Sequence, residues 1–333
     1  MNPLFSSFLC TSISLEYTYN LVGNRISSLC IFFAFLLVSC SSVVISDGSI
    51  AVSIGEIATE SISSRSTWIP AERPLPPGPQ EVGIPMAGGR ELAGWYFPAA
   101  VEDAPVIVLM HWAGGNHWDW DVIARWLQNR DNQVNGVAGT LWSDPYWFPA
   151  IREDASFAVL TFNYATVTMD PAQRGIVDHF PASVAVVAFA ATLEGVDPNR
   201  ILTMGASIGA DSAPNACYLF NQMAEDGEVQ GKCIGALSLS PASEKLYMKS
   251  AAELLAQGVV VYCFGAIGDT QAERACRAVS GEKFRSFIYE GGAHGYYIID
   301  PALFPVEPQL PQNALELMLE FLEQATGLPA AAN

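Results

Sequence analysis

Positive charge is scarce in this chain. The 333 residues include 16 lysines and arginines against 34 aspartates and glutamates, so the formal net charge is −18 at pH 7. Proteins that bind nucleic acid need a basic footprint to neutralise the phosphates. This balance therefore argues against a nucleic-acid partner. Acidity otherwise favours solubility and says little about the fold.

The N-terminal region lacks an apolar run long enough for a comfortable membrane span. Residues 29–38 form an uncharged apolar run of ten residues, whereas a transmembrane helix needs about 20. Arg25 is the only cationic side chain before position 65. A basic residue followed by a short apolar core is typical of a secretory signal. The run ends in Leu37-Val38-Ser39-Cys40, which resembles the lipobox of bacterial lipoproteins with Cys40 as the lipidated cysteine.

This resemblance implies a leader with a lipoprotein signal over residues 1–40 and an extracytoplasmic protein anchored to a membrane by lipid. Two alternatives stay open: a secretory signal whose cleavage releases the protein, with Cys40 incidental, and an uncleaved membrane anchor. Residues 41–81 are rich in Ser, Ile, Gly and Pro, which predicts a flexible tether that stiffens toward its Pro-rich end. Residues 82–333 are then expected to form one folded domain.

Apolar runs alternate with helical patterns along this expected domain. Strands are predicted at 91–97, 105–110, 157–162, 201–204, 234–239, 259–264 and 286–289. Helices are predicted at 119–130, 181–194, 209–223, 245–257, 271–279 and 314–324. Continuous apolar strands are typical of a parallel sheet that is buried on both faces, and their alternation with helices indicates βαβ units. The predicted fold is α/β, a mostly parallel central sheet flanked by helices on both faces.

The sequence Gly205-Ala206-Ser207-Ile208-Gly209 follows one of these apolar strands and leads into a helix of small residues. This is the nucleophile-elbow pattern, in which a serine on a sharp strand-to-helix turn holds its hydroxyl above the sheet. The turn strains the serine backbone, and a Cβ on either flanking glycine would collide with the adjacent strand or helix. The pentapeptide alone is a weak signal, so its weight depends on its surroundings.

A serine hydroxyl needs a base to take its proton, and the base needs a third group to orient it. Only one of the four histidines, His294, follows Ser207 in the sequence, on a glycine-rich loop just past the last predicted strand. Asp269 lies between them, on a loop directly after a buried strand. Asp269 could instead cap the helix that follows it, and Glu244 is the rival acid.

The remaining histidines are expected to be structural. His111 is interpreted as shaping its own loop, and His117 and His179 as surface or packing residues. No cluster of His, Cys and Asp has metal-ligand spacing, and no glycine-rich phosphate loop follows a strand. We therefore expect neither a metal nor a cofactor.

Together, the elbow, the late histidine and the intervening aspartate resemble the α/β-hydrolase superfamily, in particular serine esterases and dienelactone hydrolases, over residues 85–327. The family uses the order Ser, Asp, His. The resemblance implies that Ser207 attacks an acyl carbon, that His294 shuttles the proton, and that Asp269 holds the imidazole tautomer.

The same resemblance implies an oxyanion hole built from backbone N–H groups. One donor would be Ile208, directly after the serine. The other would come from the loop over residues 111–115, with Ala113 preferred. Many relatives have His-Gly-x there, whereas this chain has Trp112 in the glycine position. The second donor therefore stays open between Trp112 and Ala113.

The implied activity is hydrolysis of a small-molecule acyl substrate through an acyl-enzyme, with esters as the expected class. Amides or peptides are the alternative, since the same three side chains serve both. A hydrolase-like domain kept as a non-catalytic binding module is the alternative from a different class.

Aromatic residues crowd the segment that follows the first buried strand. They are Trp112, Trp118, Trp120, Trp142, Tyr146, Trp147 and Phe148. The connection over residues 131–156 is longer than the usual 2–6 residues of such loops. We hypothesise an apolar rim or flap beside Ser207, and the alternative is a loop packed on the domain edge.

Four of the seven cysteines lie in the expected domain, an even number that permits disulfides in an exported protein. Cys217 lies in a predicted helix and Cys233 begins the next strand, so Cys217–Cys233 is the favoured pair. The pair Cys263–Cys276 is less favoured, because a cysteine in mid-strand is usually just buried.

Overall fold

The structure, a computed structural model, describes residues 45–46, 49–50, 76–87, 90–130, 147–164 and 179–332. The chain divides into two units, residues 1–65 and 66–333. In the first unit, strand β1 (Ile45–Ser46) pairs antiparallel with strand β2 (Ser49–Ile50). The predicted leader and Cys40 lie outside the described residues. Among the helices that are described, none is both long and apolar enough to cross a bilayer.

The second unit is built on a nine-stranded sheet. Its strands are β3 (Gln80–Met86), β4 (Arg90–Phe97), β5 (Ala104–Met110), β6 (Ala158–Phe162), β7 (Val196–Ala206), β8 (Cys233–Leu239), β9 (Val260–Ala266), β10 (Phe284–Tyr289) and β11 (Pro305–Glu307). Its α-helices are α1 (Asp121–Leu127), α2 (His179–Ala190), α3 (Ile208–Glu225), α4 (Glu244–Ala256), α5 (Thr270–Arg277) and α6 (Ala314–Thr326). Short 3-10 helices cover His117–Trp120 and Gly295–Ile299.

The strand order is β11-β10-β9-β8-β7-β5-β6-β4-β3. The six strands from β10 to β6 run parallel, whereas β4, β3 and β11 extend the sheet through antiparallel pairings. The chain leaves β5 for β6 on one side and then crosses to β7 on the other side. Loops diverge at such a point, and ligands of open α/β sheets bind there, at the carboxyl ends of the strands.

Two apolar layers bury the sheet. All seven residues of β5 and all seven of β9 are buried, as the continuous apolar runs predict. Helices α1 and α6 pack on one face, and helices α2, α3, α4 and α5 pack on the other. The predicted α/β class, a mostly parallel sheet with helices on both faces, is confirmed.

The edges of the sheet differ from the prediction. Strand β3 is absent from the predicted elements, because its sequence contains glycine and proline and only two of its seven residues are fully buried. The folded unit also begins before position 82. The carbonyl groups of Pro76 and Pro77, within the predicted tether, accept hydrogen bonds from Arg130 and Gln128. The end of that Pro-rich segment is therefore held against the domain.

Two disulfides join helices to strands on one side of the sheet. Cys217 of α3 is bonded to Cys233 of β8, the favoured pair. Cys263 of β9 is bonded to Cys276 of α5, so the interpretation of Cys263 as merely buried is wrong. Helix α5 packs back onto the strand that precedes it and brings the two Cα atoms within 5.4 Å.

Candidate active site

Ser207 lies at the sharp turn between β7 and α3, with φ 55° and ψ −115°. The two flanking glycines are required by close backbone approach. A Cβ on Gly205 would lie 2.0 Å from the carbonyl oxygen of Gly209, and a Cβ on Gly209 would lie 2.2 Å from that of Met110. Both distances are far below van der Waals contact, so the turn that presents Ser207 depends on these glycines.

The side chains of Ser207, His294 and Asp269 meet in a hydrogen-bonded relay at the carboxyl edge of the sheet. The Nε2 atom of His294 lies 3.0 Å from the Oγ atom of Ser207. Its Nδ1 atom lies 2.5 Å from the Oδ2 atom of Asp269. An imidazole held between a hydroxyl and a carboxylate can take the hydroxyl proton while the carboxylate fixes its tautomer.

Two loops carry the base and the acid, and they are bonded to each other. The backbone N–H of Gly268 donates to the carbonyl of Gly291 at 2.6 Å, and that of Ile267 donates to the carbonyl of Tyr289 at 3.0 Å. A Cβ on Gly268 would lie 2.7 Å from the Cα atom of Gly292. The absence of side chains there lets the loops after β9 and β10 lie close enough for the relay to form.

Asp269 combines the two roles between which the sequence left a choice. Its Oδ1 atom accepts from the backbone N–H of Ala272 at 3.5 Å and so caps α5, while Oδ2 faces His294. The rival acid, Glu244, lies in the first turn of α4 and pairs with Arg274 at 3.0 Å.

The charges of the relay stabilise each other. Its hydrogen bond with Asp269 raises the pKa of His294 above 6.5, against the opposing effect of burial, and the negative charges of Asp269 and Asp211 add to the rise. Burial alone would raise the pKa of Asp269, but the hydrogen bond and the charge of His294 bring it below its usual value. The pair therefore favours an ionised carboxylate beside a basic imidazole.

The loop after β5 carries Trp112 and Ala113, the two candidates for the second oxyanion donor, and the side chain of Trp112 holds this loop together. The indole N–H of Trp112 donates to Oδ2 of Asp119 at 2.8 Å, and the backbone N–H of Asn116 donates to the same oxygen at 3.0 Å. A Cβ on Gly115 would lie 2.3 Å from the indole ring. The indole of Trp112 therefore packs closely against the backbone of Gly115.

Within the described part of the chain, the backbone N–H groups of Ile208, Trp112 and Ala113 donate to no protein acceptor. The predicted donors are therefore available to a ligand oxygen. The choice between Trp112 and Ala113 as second donor stays a prediction.

The other three histidines pack against aromatic rings, His179 against Tyr164 and Phe180. Tyr164 donates its backbone N–H to Nε2 of His111 at 3.2 Å, so Nδ1 of His111 donates to the carbonyl of Trp112 at 2.7 Å. Burial lowers the pKa of His111. His117 stacks on Trp95 with ring centroids 3.3 Å apart, and burial lowers its pKa to about 4. Neither ring touches the relay.

Only part of the predicted aromatic rim lies beside the site. Trp120 and Phe148 are buried in the core, so placing them in a rim was wrong. Both belong to the core on the α1 face of the sheet, where Phe148 packs on Trp126. Trp142 and Tyr146 lie outside the described residues. Trp147 does line a cavity of about 170 Å³, and so does Ala293, the residue directly before His294. The cavity is lined by Trp147, Ala293, Tyr296, Tyr297, Ile299, Asp300 and Leu303.

One polar residue of the site, Asp211, is not among those predicted from the sequence. Asp211 lies in the first turn of α3 and is 3% exposed, and its negative charge adds to the rise in the pKa of His294. The only feature of the sequence that points to it is its position, four residues after Ser207. In the ranges that the structure describes, no three His, Cys, Asp or Glu side chains come together as metal ligands would.

No protein-family profile matches the chain, and neither does any curated protein. Solved structures resemble it at low identity. The 2,6-dihydroxy-pseudo-oxynicotine hydrolase is 12% identical with a TM-score of 0.48, over 78% of this chain and 71% of that one. Dienelactone hydrolase from Anabaena variabilis is 16% identical with a TM-score of 0.46, over 74% and 98%. The carboxylesterase EstE1 from a metagenomic library is 16% identical with a TM-score of 0.45, over 77% and 89%.

Proposed function

We propose that this protein is a serine hydrolase that cleaves esters of small molecules through an acyl-enzyme. The observation that carries the proposal is the continuous relay from Ser207 through His294 to Asp269, with contacts of 3.0 and 2.5 Å. The strained elbow supports it further, because a serine at positive φ is maintained at a cost of about 1–3 kcal/mol. Such strain is typical of catalytic positions.

In the proposed mechanism, His294 takes the proton of Ser207 as the hydroxyl attacks the acyl carbon. The backbone N–H groups of Ile208 and of Ala113 or Trp112 stabilise the developing oxyanion, and one such donor contributes about 3 kcal/mol. His294 then protonates the leaving alcohol, and the same base later activates water to release the acid. Asp269 stabilises the imidazolium at each step.

Amide or peptide hydrolysis by the same relay is the runner-up, and a non-catalytic binding module is the alternative outside the enzymes. The test uses the purified full chain, a fluorophosphonate probe, and matched p-nitrophenyl esters and p-nitroanilides. We expect covalent labelling and faster turnover of the esters. Faster turnover of the anilides would favour the amidase, and folded protein that neither labels nor turns over would exclude the enzyme.

The cavity beside His294 supports a subsite for an apolar acyl or aromatic group. Three of its seven lining residues are aromatic, and Trp147 is the one that the sequence pattern predicts for this purpose. Hydrophobic pockets discriminate between chains by their size, at about 1–3 kcal/mol per methylene. A cavity of about 170 Å³ is small, so it favours short acyl groups over long ones.

Replacing Trp147 by alanine should relax this selection. We expect Trp147→Ala to raise the ratio of kcat/KM for octanoate to that for acetate by about tenfold or more, because a wall of the pocket is removed. Trp118→Ala is the matched control, since Trp118 is 51% exposed and does not line the cavity. An unchanged ratio across acyl lengths in the Trp147 variant would count against the subsite.

We also propose that the protein works outside the cytoplasm, held to a membrane by lipid on Cys40. The lipobox-like sequence supports this, and so do the two disulfides, which persist in oxidising compartments. Replacing Cys40 by alanine should move the protein from the membrane fraction to the soluble fraction. A secreted wild-type protein, or a variant that stays in the membrane, would contradict lipid anchoring.

A further inference from the structure

Asp211 is a buried carboxyl that takes no part in the hydrogen bonds between Ser207, His294 and Asp269. It lies four residues after Ser207, and its backbone N–H donates to the carbonyl of Ser207 at 3.3 Å. Only 3% of the residue is exposed. Burying a charge in this way is costly unless hydrogen bonds or an opposite charge compensate for it. Its partners therefore indicate what it does.

The carboxylate connects the helix of the nucleophile to the helix of the acid. The backbone N–H of Ser243 donates to Oδ1 of Asp211 at 3.1 Å. Ser243 and its neighbour Ala242 lie in the loop between β8 and α4. Gln271 donates its side-chain amide to the carbonyl of Ala242. Gln271 is in the first turn of α5, the helix that Asp269 caps.

Of the described groups that act on the Asp211 carboxylate, His294 is the one that can carry a positive charge. Three titratable groups from other elements interact electrostatically with the Asp211 carboxylate: His294 after β10, Tyr164 after β6 and Tyr247 of α4. The buried ring of His111 packs on Tyr164. Among the residues described, no lysine or arginine forms an ion pair with Asp211, and nearby Glu244 is taken up by Arg274. Burial raises the pKa of Asp211 to about 7, against the hydrogen bond from Ser243 and the charge of His294.

We propose that Asp211 is a positioning residue for the Ser207–His294 pair, which holds the β8–α4 loop against the elbow and presents a second negative charge to the imidazolium. This role rests on the proposed serine-hydrolase function. When Asp211 is ionised it favours the protonated form of His294. The negative charge therefore raises the pH at which the base becomes neutral, and it stabilises the imidazolium that forms during the reaction.

The test is the pH dependence of kcat and kcat/KM for p-nitrophenyl acetate with wild type and Asp211→Asn. The amide retains an oxygen that can accept from Ser243 but removes the charge. We expect an acid limb with its midpoint above 6.5 in wild type. The variant should show that limb lowered by about 0.5 pH unit, because a carboxyl with a pKa of about 7 is only partly ionised over this range. Its kcat should fall severalfold, because the imidazolium that forms in the reaction loses part of its stabilisation. KM should change less than twofold.

Asp226→Asn is the matched control, because Asp226 is exposed at the other end of α3. It should leave both the limb and kcat unchanged. A folded Asp211→Asn protein with the wild-type limb and kcat would overturn the inference while leaving the hydrolase function intact. If wild type neither labels with fluorophosphonate nor turns over the ester, the proposed function falls first and this role falls with it.

A second variant keeps the question decidable if Asp211→Asn does not fold. Asp211→Glu retains the charge but displaces the carboxylate from the loop. We expect it to keep the acid limb near the wild-type position and to lower kcat, because the charge remains and the positioning is lost. Wild-type kcat in Asp211→Glu would overturn the positioning role.

Discussion

Replacing Ser207 by alanine should abolish labelling by a fluorophosphonate probe and lower kcat for p-nitrophenyl acetate by about 10⁴-fold or more. The substitution removes only the hydroxyl group, so the protein loses its nucleophile and His294 loses the group from which it takes a proton. The fold should survive, because the conformation of the turn is set by the close approaches at Gly205 and Gly209. Thermal unfolding should therefore be nearly unchanged.

A glycine at the same position separates chemistry from backbone strain. Glycine adopts positive φ at no steric cost, so Ser207→Gly should be inactive and yet more stable than wild type, by about 1 kcal/mol. Ser250→Ala is the control for loss of a hydroxyl elsewhere; Ser250 donates to a carbonyl within α4 and should keep full activity. Labelling that persists in Ser207→Ala would place the nucleophile on another side chain.

Replacing Asp269 by asparagine should lower kcat by about 10³–10⁴-fold with little change in KM, because the imidazolium loses its counter-charge and its tautomer is no longer fixed. Asparagine caps helices about as well as aspartate, so α5 should keep its first turn. Circular dichroism and the thermal midpoint should then match those of wild type.

Glu244→Gln is the matched control for the loss of one carboxylate. Glu244 pairs with Arg274 at the surface, with side-chain exposures of 37% and 63%. Exposed pairs of this kind contribute about 0–1 kcal/mol to stability, and neither group touches the relay. The control should retain kcat. A large loss in Glu244→Gln together with an active Asp269→Asn would reverse the assignment of the acid.

The core of the fold could be predicted from the sequence because its strands are buried on both faces. A run such as residues 105–110 is apolar without interruption, and the structure places it in the middle of the sheet as β5. The position of the elbow could be predicted as well, because the turn around Ser207 has no room for a Cβ at Gly205 or Gly209. In both cases a short stretch of sequence determines the structure of that same stretch.

The sheet edges and the long-range partners could not be predicted in this way. Strand β3 is half solvated, so its side chains do not form a continuous apolar run. The bond between Cys263 and Cys276 depends on how α5 packs back onto β9. The hydrophobic periodicity of the sequence does not predict that packing.

The role of Asp211 was hidden for a similar reason. An acidic residue in the first turn of a helix is favoured by the helix dipole wherever it occurs. Only the surrounding loops and side chains leave this one 3% exposed and bring the N–H of Ser243 to its carboxylate.

The cross-link between β9 and α5 has a practical consequence for making this protein. Strand β9 ends three residues before Asp269, and α5 begins directly after it, so the acid sits on the short arc that the bond from Cys263 to Cys276 closes. Protein produced in a reducing cytosol would carry free thiols at Cys263 and Cys276. The loop that holds Asp269 between β9 and α5 would then lack its cross-link. Recombinant preparations should therefore be made by periplasmic secretion or oxidative refolding. Their thiol content should be titrated first, so that an inactive batch with reduced cysteines is not mistaken for a protein without catalytic activity.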